Sequence, residues 1–199
     1  MRILIIGATG TIGSAVYKEI VNKHEVITAG RQNADIIVDI TSVESIKKMY
    51  RDIGQVDAVI NTAGTTYFGR LEELTPENNE ISIMSKLKGQ VNLVLLGLQY
   101  IKDNGSFTLT TGIIMDDPIV GGASAAMASG AIKAFVKSAA IEMPRSIRIN
   151  SVSPTIVKES LQTYGPFFPG FTPVPSSRVA QAYIKSVEGA QTGQTYNVY

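Results

Sequence analysis

The chain has no cysteine and no tryptophan, a single histidine, and no long uninterrupted apolar run. Each absence closes a line of chemistry. Without cysteine there are no disulfides, no thiolate metal ligands and no thiol nucleophile, and no metal site is expected. The one histidine, His24, lies between a helical and a strand pattern among polar neighbours and reads as a surface turn residue. No apolar stretch reaches transmembrane length without polar interruption, so no membrane partner is expected. An excess of one charge is also lacking. Eighteen Lys and Arg oppose 17 Asp and Glu, a net charge of +1 with no basic stripe, which argues against nucleic acid or a membrane surface as partner. Met1-Arg2 runs directly into the first strand pattern, which leaves no room for a signal peptide. A soluble, cytoplasmic protein is expected.

What the chain does have is a core and a glycine motif. With 199 residues, 44% of them hydrophobic, one domain over 1–199 is expected. The stretch Ile3-Leu4-Ile5-Ile6-Gly7-Ala8-Thr9-Gly10-Thr11-Ile12-Gly13 sends four apolar β-formers into glycines. An amphipathic helical pattern begins near Thr11, with Ile12, Val16 and Ile20 on one stripe. A strand that hands over to a helix at glycines makes an anion site, because free N–H groups and the positive end of the helix dipole both point there. The spacing is G-x-x-G-x-x-G rather than G-x-G-x-x-G. An ordinary βα turn that needs glycine is the alternative.

Further strands are expected at Glu25–Ala29, Asp35–Val38, Val56–Ile60, Phe107–Thr110, Ile147–Val152 and Thr195–Val198. Between them, helices are expected from a Ser42 cap to about Asp52, from about Pro76 to Ile101, from Ala123 to Met143, and from Ser177 to Val187. Strands alternating with helices imply βαβ units, and apolar runs with little alternation imply strands covered on both faces. The expected fold is therefore α/β: a doubly wound, Rossmann-type three-layer α/β/α with a mostly parallel seven-stranded sheet. Five prolines and four aromatic residues crowd the segment from Pro154 to Pro175, which reads as a substrate lid.

Several of these pieces resemble the short-chain dehydrogenase/reductase family, and the resemblance spans nearly the whole chain. They are the glycine motif at 7–13, Gly30-Arg31 after strand two, Asp39 after strand three and Asn61-Thr62-Ala63-Gly64 after strand four. Phe135-Val136-Lys137-Ser138-Ala139-Ala140 and Ile147 through Pro154 look like the helix and strand beside the family's nicotinamide site, and Thr192-Gly193-Gln194 like its entry to the last strand. The resemblance implies a pyrophosphate over Gly7, Thr9, Gly10, Thr11 and Ile12. Asp39 and Ile40 would frame the adenine, and Asn61, Ala63 and Gly64 would flank the ribose path. A turn or cap role is the alternative for Asp39. Strand two ends in Gly30-Arg31 with no acid, which favours the 2′-phosphate of NADP over the free hydroxyl of NAD, unless Arg31 leans into solvent.

The family's Ser, Tyr, Lys and Asn are missing. With Phe135 and Pro154 fixing the register, Ala125 stands at the Tyr position, Ser129 at the Lys position and Gly112 at the Ser position. Counting from Gly89 puts Lys86 at the Asn position. Substituted chemistry would rest on Lys86 as a cation and Thr111 as a hydroxyl, with Tyr164 arriving from the lid. A solvated lysine, a strand-end threonine and an aromatic packing under the lid are the plainer readings. Two functions stay open: an NADP(H)-dependent oxidoreductase with non-standard catalytic groups acting on a small molecule, or a non-catalytic NADP(H)-binding sensor. A weaker third is an assembly protein that has lost the ligand. The apolar helix from Ala123, with Ala126, Gly130 and Ala134 every four residues, predicts a homodimer or homotetramer packed also through Val91 to Leu98.

Overall fold

The computed structural model describes all residues, 1–199. β1 (Arg2–Ile6) sits mid-sheet and pairs in parallel with β2 (Glu25–Gly30) on one side and β4 (Val56–Asn61) on the other. With β3 (Ile36–Ile37), β5 (Ile101–Thr110), β6 (Arg148–Pro154) and β7 (Thr195–Val198) it forms one sheet of order β3-β2-β1-β4-β5-β6-β7, every pair parallel. The absence of alternation has a direct cause. Leu4 and Ile6 enter the core on one face of the sheet, and Ile3 and Ile5 the core on the other. Both faces are covered, so every position must be apolar.

α1 (Thr11–Ile20) and α7 (Ser176–Glu188) cover the Ile3/Ile5 face. α2 (Val43–Ile53), α4 (Gln90–Gly97) and α5 (Ala123–Ala139) cover the other. Ser42 caps α2 by accepting from the Ser45 N–H, and Thr75 caps α3 (Pro76–Ser82) by accepting from Asn78. α3 continues into α4 through a π-helical turn, Ile83–Gly89.

Several boundaries differ from expectation. The helical stretch that opens at Pro76 ends at Gly97, not Ile101, and β5 begins at Ile101, fully buried opposite Val56. The strand then shifts register past Asn104, whose φ of 62° lies in the left-handed region, before rejoining the sheet at Ser106. α5 ends at Ala139, because Ile141 and Glu142 bond three residues back and tighten the chain ahead of Pro144. β3 keeps only Ile36 and Ile37. His24 is not a plain surface residue: its side chain is 12% exposed and its Nε2 lies 3.0 Å from Glu188 Oε1 at the end of α7.

The segment 154–175 leaves the sheet after β6 and returns to α7. Its base is clasped by a Val157–Val174 bridge and by Glu159, which accepts from the N–H and hydroxyl of Ser176. Its short helix α6 (Leu161–Tyr164) leads to aromatic rings that meet the loop after β4, with Tyr164 and Phe167 packing on Phe68 at 5.9 and 5.4 Å. The small-residue ridge on α5 is open: Ala134 is exposed, and a side chain added at Gly130 would meet nothing. No helix is long and apolar enough to cross a membrane.

Candidate functional site

In a doubly wound sheet, ligands sit beyond the carboxyl ends of the strands, where the strand order reverses. Here that point lies between β1 and β4, and a cleft of about 620 Å³ opens over it. The cleft collects most of the residues expected at a dinucleotide: Gly7, Thr9, Gly10, Arg31, Asp39, Ile40, Ala63 and Gly64 all line it. Ile12 lines the neighbouring cavity instead. Thr11 opens α1 as an exposed residue, and Asn61 is buried at the tip of β4.

The three glycines have different reasons to be glycine. A Cβ on Gly13 would overlap the Gly7 carbonyl oxygen, and one on Gly7 (φ 87°) would lie 2.8 Å from the Ala63 nitrogen. Those two are required by the chain itself. Gly10 is different. Its Cβ would meet only the Gly7 oxygen, at 3.4 Å, so the space it leaves is open cleft. Gly10 also starts α1 with no side chain capping the first turn, which leaves N–H groups and the dipole for an anion.

Thr62 donates to the carbonyls of Ile6 and Gly7, tying the ends of β1 and β4 together. Asn61 closes the turn that follows: its Nδ2 donates to Ala63 O at 2.8 Å and its Oδ1 accepts from Ala63 N. At the other rim, Asp39 Oδ1 accepts from both the N–H and the hydroxyl of Thr41, at 2.9 and 2.8 Å. Those bonds hold its carboxyl below the usual carboxylate range. The turn reading of Asp39 thus holds for one oxygen, while Oδ2 has no such duty. Arg31 is exposed and makes no ion pair or hydrogen bond within the chain, though its charge is felt at Asp39.

Next to the cleft lies a cavity of about 210 Å³ where the four positions marked by the family register meet: Lys86, Gly112, Ala125 and Ser129. Lys86 is not solvated. It is 9% exposed, and its Nζ reaches only the Thr111 carbonyl, at 3.5 Å. Burial pulls its pKa down to about 8. It joins cavity and cleft, since its Cδ would lie 3.1 Å from a Cβ on Gly64. The Thr111 hydroxyl donates to Val152 O at 3.2 Å, and Tyr164, 42% exposed, lines the far side.

Gln90 escaped the sequence reading. Fully buried, it donates to Lys86 O and Thr110 O and accepts from Thr110 N at 2.8–2.9 Å, stitching the π-helical turn to the end of β5. Its signal was an amide opening an otherwise apolar helix that carries one other, Asn92. A larger depression of about 830 Å³ is formed by the segments that follow β4 and β5, beside Leu71 and Val120, with only Arg70 and Glu72 as charged side chains.

A doubly wound parallel sheet with a glycine-lined cleft at its switch point defines a dinucleotide-binding class of protein. The comparisons narrow it. The profile of a family described as enoyl-(acyl carrier protein) reductase matches residues 13–192. The tropinone reductase homolog of Datura stramonium is 26% identical over 187 residues, covering 79% of this chain and 68% of that protein. Carbonyl reductase [NADPH] 2 of Sus scrofa is 25% identical over 175 residues, covering 79% and 72%. Protein lin1944 of Listeria innocua is 61% identical, with a TM-score of 0.99 over 100% of both chains. A small-chain dehydrogenase solved in complex with NADPH is 25% identical, with a TM-score of 0.89 over 100% of this chain and 96% of that one. The chain belongs to the short-chain dehydrogenase/reductase family.

Proposed function

We propose that the cleft binds NADP(H) and that the chain is a reductase of short-chain type in which Lys86 stands in for the missing phenol. The observation that carries this reading is Lys86 itself: a buried, unpaired ammonium at the junction of cleft and cavity. The residues present fit the cofactor. Gly10 leaves space and uncapped amides for a pyrophosphate, with the Thr9 and Thr11 hydroxyls beside it. Arg31 is free to meet a 2′-phosphate, and Asp39 Oδ2 and Ile40 are placed at the rim for an adenine. When bound, the reduced nicotinamide supplies hydride.

The chain must supply the matching proton. Ala125 and Gly112 carry none, and the Thr111 hydroxyl is engaged with Val152 O, so Thr111 serves to hold the strand end against Lys86. Of the remaining proton carriers lining the cavity, Ser129 and Tyr164 among them, Lys86 Nζ is the one that carries a charge, and it gives its proton to a developing alkoxide. The segment 154–175 acts as a lid whose rings exclude water over Lys86. A small molecule is the substrate. A two-fold dimer through the open face of α4 and α5, where Leu95 and Met127 are exposed, belongs to the same reading, as does a cytoplasmic setting.

The second reading is a non-catalytic NADP(H) sensor, favoured by the methyl of Ala125 where the relay would stand. Titration of NADPH and NADH, followed by NADPH oxidation over a panel of carbonyl compounds, separates the two. Binding with Lys86-dependent oxidation supports the enzyme. Binding without oxidation of any carbonyl leaves the sensor, and binding of neither nucleotide defeats both. Sedimentation and cell fractionation test the dimer and the compartment.

A further inference from the structure

Lys86 is the one cation lining its cavity, and nothing in the chain neutralises it. No carboxylate lines the space either, and the only other titratable side chain there is Tyr164. With a pKa near 8 the group is mostly charged at neutral pH. An ammonium that is buried and unpaired is costly, and the cost is relieved when a ligand brings the counter-charge. A second polar group faces the same cavity: Ser129 is 2% exposed, and its hydroxyl has no hydrogen-bond partner within the chain. Phe68, Ile113, Ile114, Ala125 and Phe168 form the apolar part of the wall, while Thr66, Ser160 and Thr155, whose buried Oγ1 also lacks a partner, form a polar part. The volume is about 210 Å³, and an apolar cavity of about 150 Å³ already takes a benzene ring.

We propose that this cavity takes a small 2-oxo acid with an apolar body, its carboxylate accepting from Lys86 Nζ and Ser129 Oγ. The inference rests on Lys86 facing the reaction space, as in the function above. A 2-oxo acid suits a single ammonium because its ketone oxygen lies beside one carboxylate oxygen, so one Nζ spans both. A neutral ketone of the same shape leaves the charge unpaired. The apolar body lies against Phe68, Ile113 and Phe168.

The test measures binding rather than turnover. Benzoylformate and its neutral methyl ester are titrated by calorimetry into the full chain, once with saturating NADP⁺, which cannot reduce them, and once without nucleotide. The acid is expected to bind about tenfold or more tighter than the ester, the strength of a hydrogen bond to a charged group. Lys86→Met should erase that advantage, Lys86→Arg should keep much of it, and Ser129→Ala should reduce it several-fold. The melting temperature of each variant establishes that it is folded. Equal binding of acid and ester, no binding of either, or an advantage that survives Lys86→Met overturns the proposal. Loss of nucleotide binding alone tells against the cofactor reading, and the acid-to-ester comparison without nucleotide still decides this one.

Discussion

The two ends of the crevice, about 620 Å³ over the glycines and about 210 Å³ around Lys86, are built on different principles. The glycine end is specified by backbone. Gly7 and Gly13 cannot carry a side chain, Thr62 laces two strands by their carbonyls, and α1 starts uncapped. The Lys86 end is specified by side chains: Lys86 from the π-helical turn and Ala125 and Ser129 from α5 face one cavity. The proposed function assigns binding to one end and chemistry to the other, and each of the following experiments strains that division.

The largest effect is expected at the glycine end. Gly13→Ala forces a methyl into the Gly7 carbonyl, so it should abolish NADP(H) binding and destabilise the chain by about 1–3 kcal/mol or more. Calorimetry and a thermal melt read both at once. A variant that binds normally would mean the βα turn has slack the structure does not show. Next comes Lys86→Met. Losing a general acid costs about 10²–10⁴-fold in rate, and NADPH affinity should hardly move. If turnover is unchanged, Lys86 is not the donor. Smaller again is Arg31→Ala, which should reduce the preference for NADPH over NADH by about tenfold to a hundredfold, one charge-assisted bond's worth. Equal affinities in the unmodified chain would show that Arg31 points to solvent when the cleft is filled.

Much of this architecture was legible because it depends on period and punctuation. Buried strands read as apolar runs, Ser42 announced α2, and the glycines marked the switch point. The boundary at Gly97 is hard to read because Leu98-Gln99-Tyr100-Ile101 carries the apolar pattern past the glycine and directly into the strand. A π-helical turn is invisible to a 3.6-residue period, and with it went the difference between Lys86 and Lys88. The two differ by two positions, yet Lys86 is buried and Lys88 exposed. Gln90 was lost for the same reason, since its three bonds run to a strand twenty residues away and to the turn it closes. The register argument did bring Lys86, Gly112, Ala125 and Ser129 into one cavity, because it counts from residues that pack on the sheet.

The smallest effect expected, and the one that draws the line between the ends most finely, is pH. Burial depresses the Lys86 pKa from the ordinary lysine value to about 8, so the proton it donates is present below that pH and lost above it. No carboxylate lines the cavity to move this value. Reduction should therefore fall about tenfold for each pH unit above roughly 8, the dependence of a single proton. Nucleotide binding should behave otherwise. The 2′-phosphate gains a proton near pH 6 and weakens toward Arg31 only below that, so affinity for NADPH should stay flat from pH 7 to 9. Measuring kcat and NADPH Kd across that range places the two limbs side by side. A falling limb that tracks Kd, or one that persists in Lys86→Arg at the same pH, would mean that the reacting end does not titrate on its own and that Lys86 is not its proton.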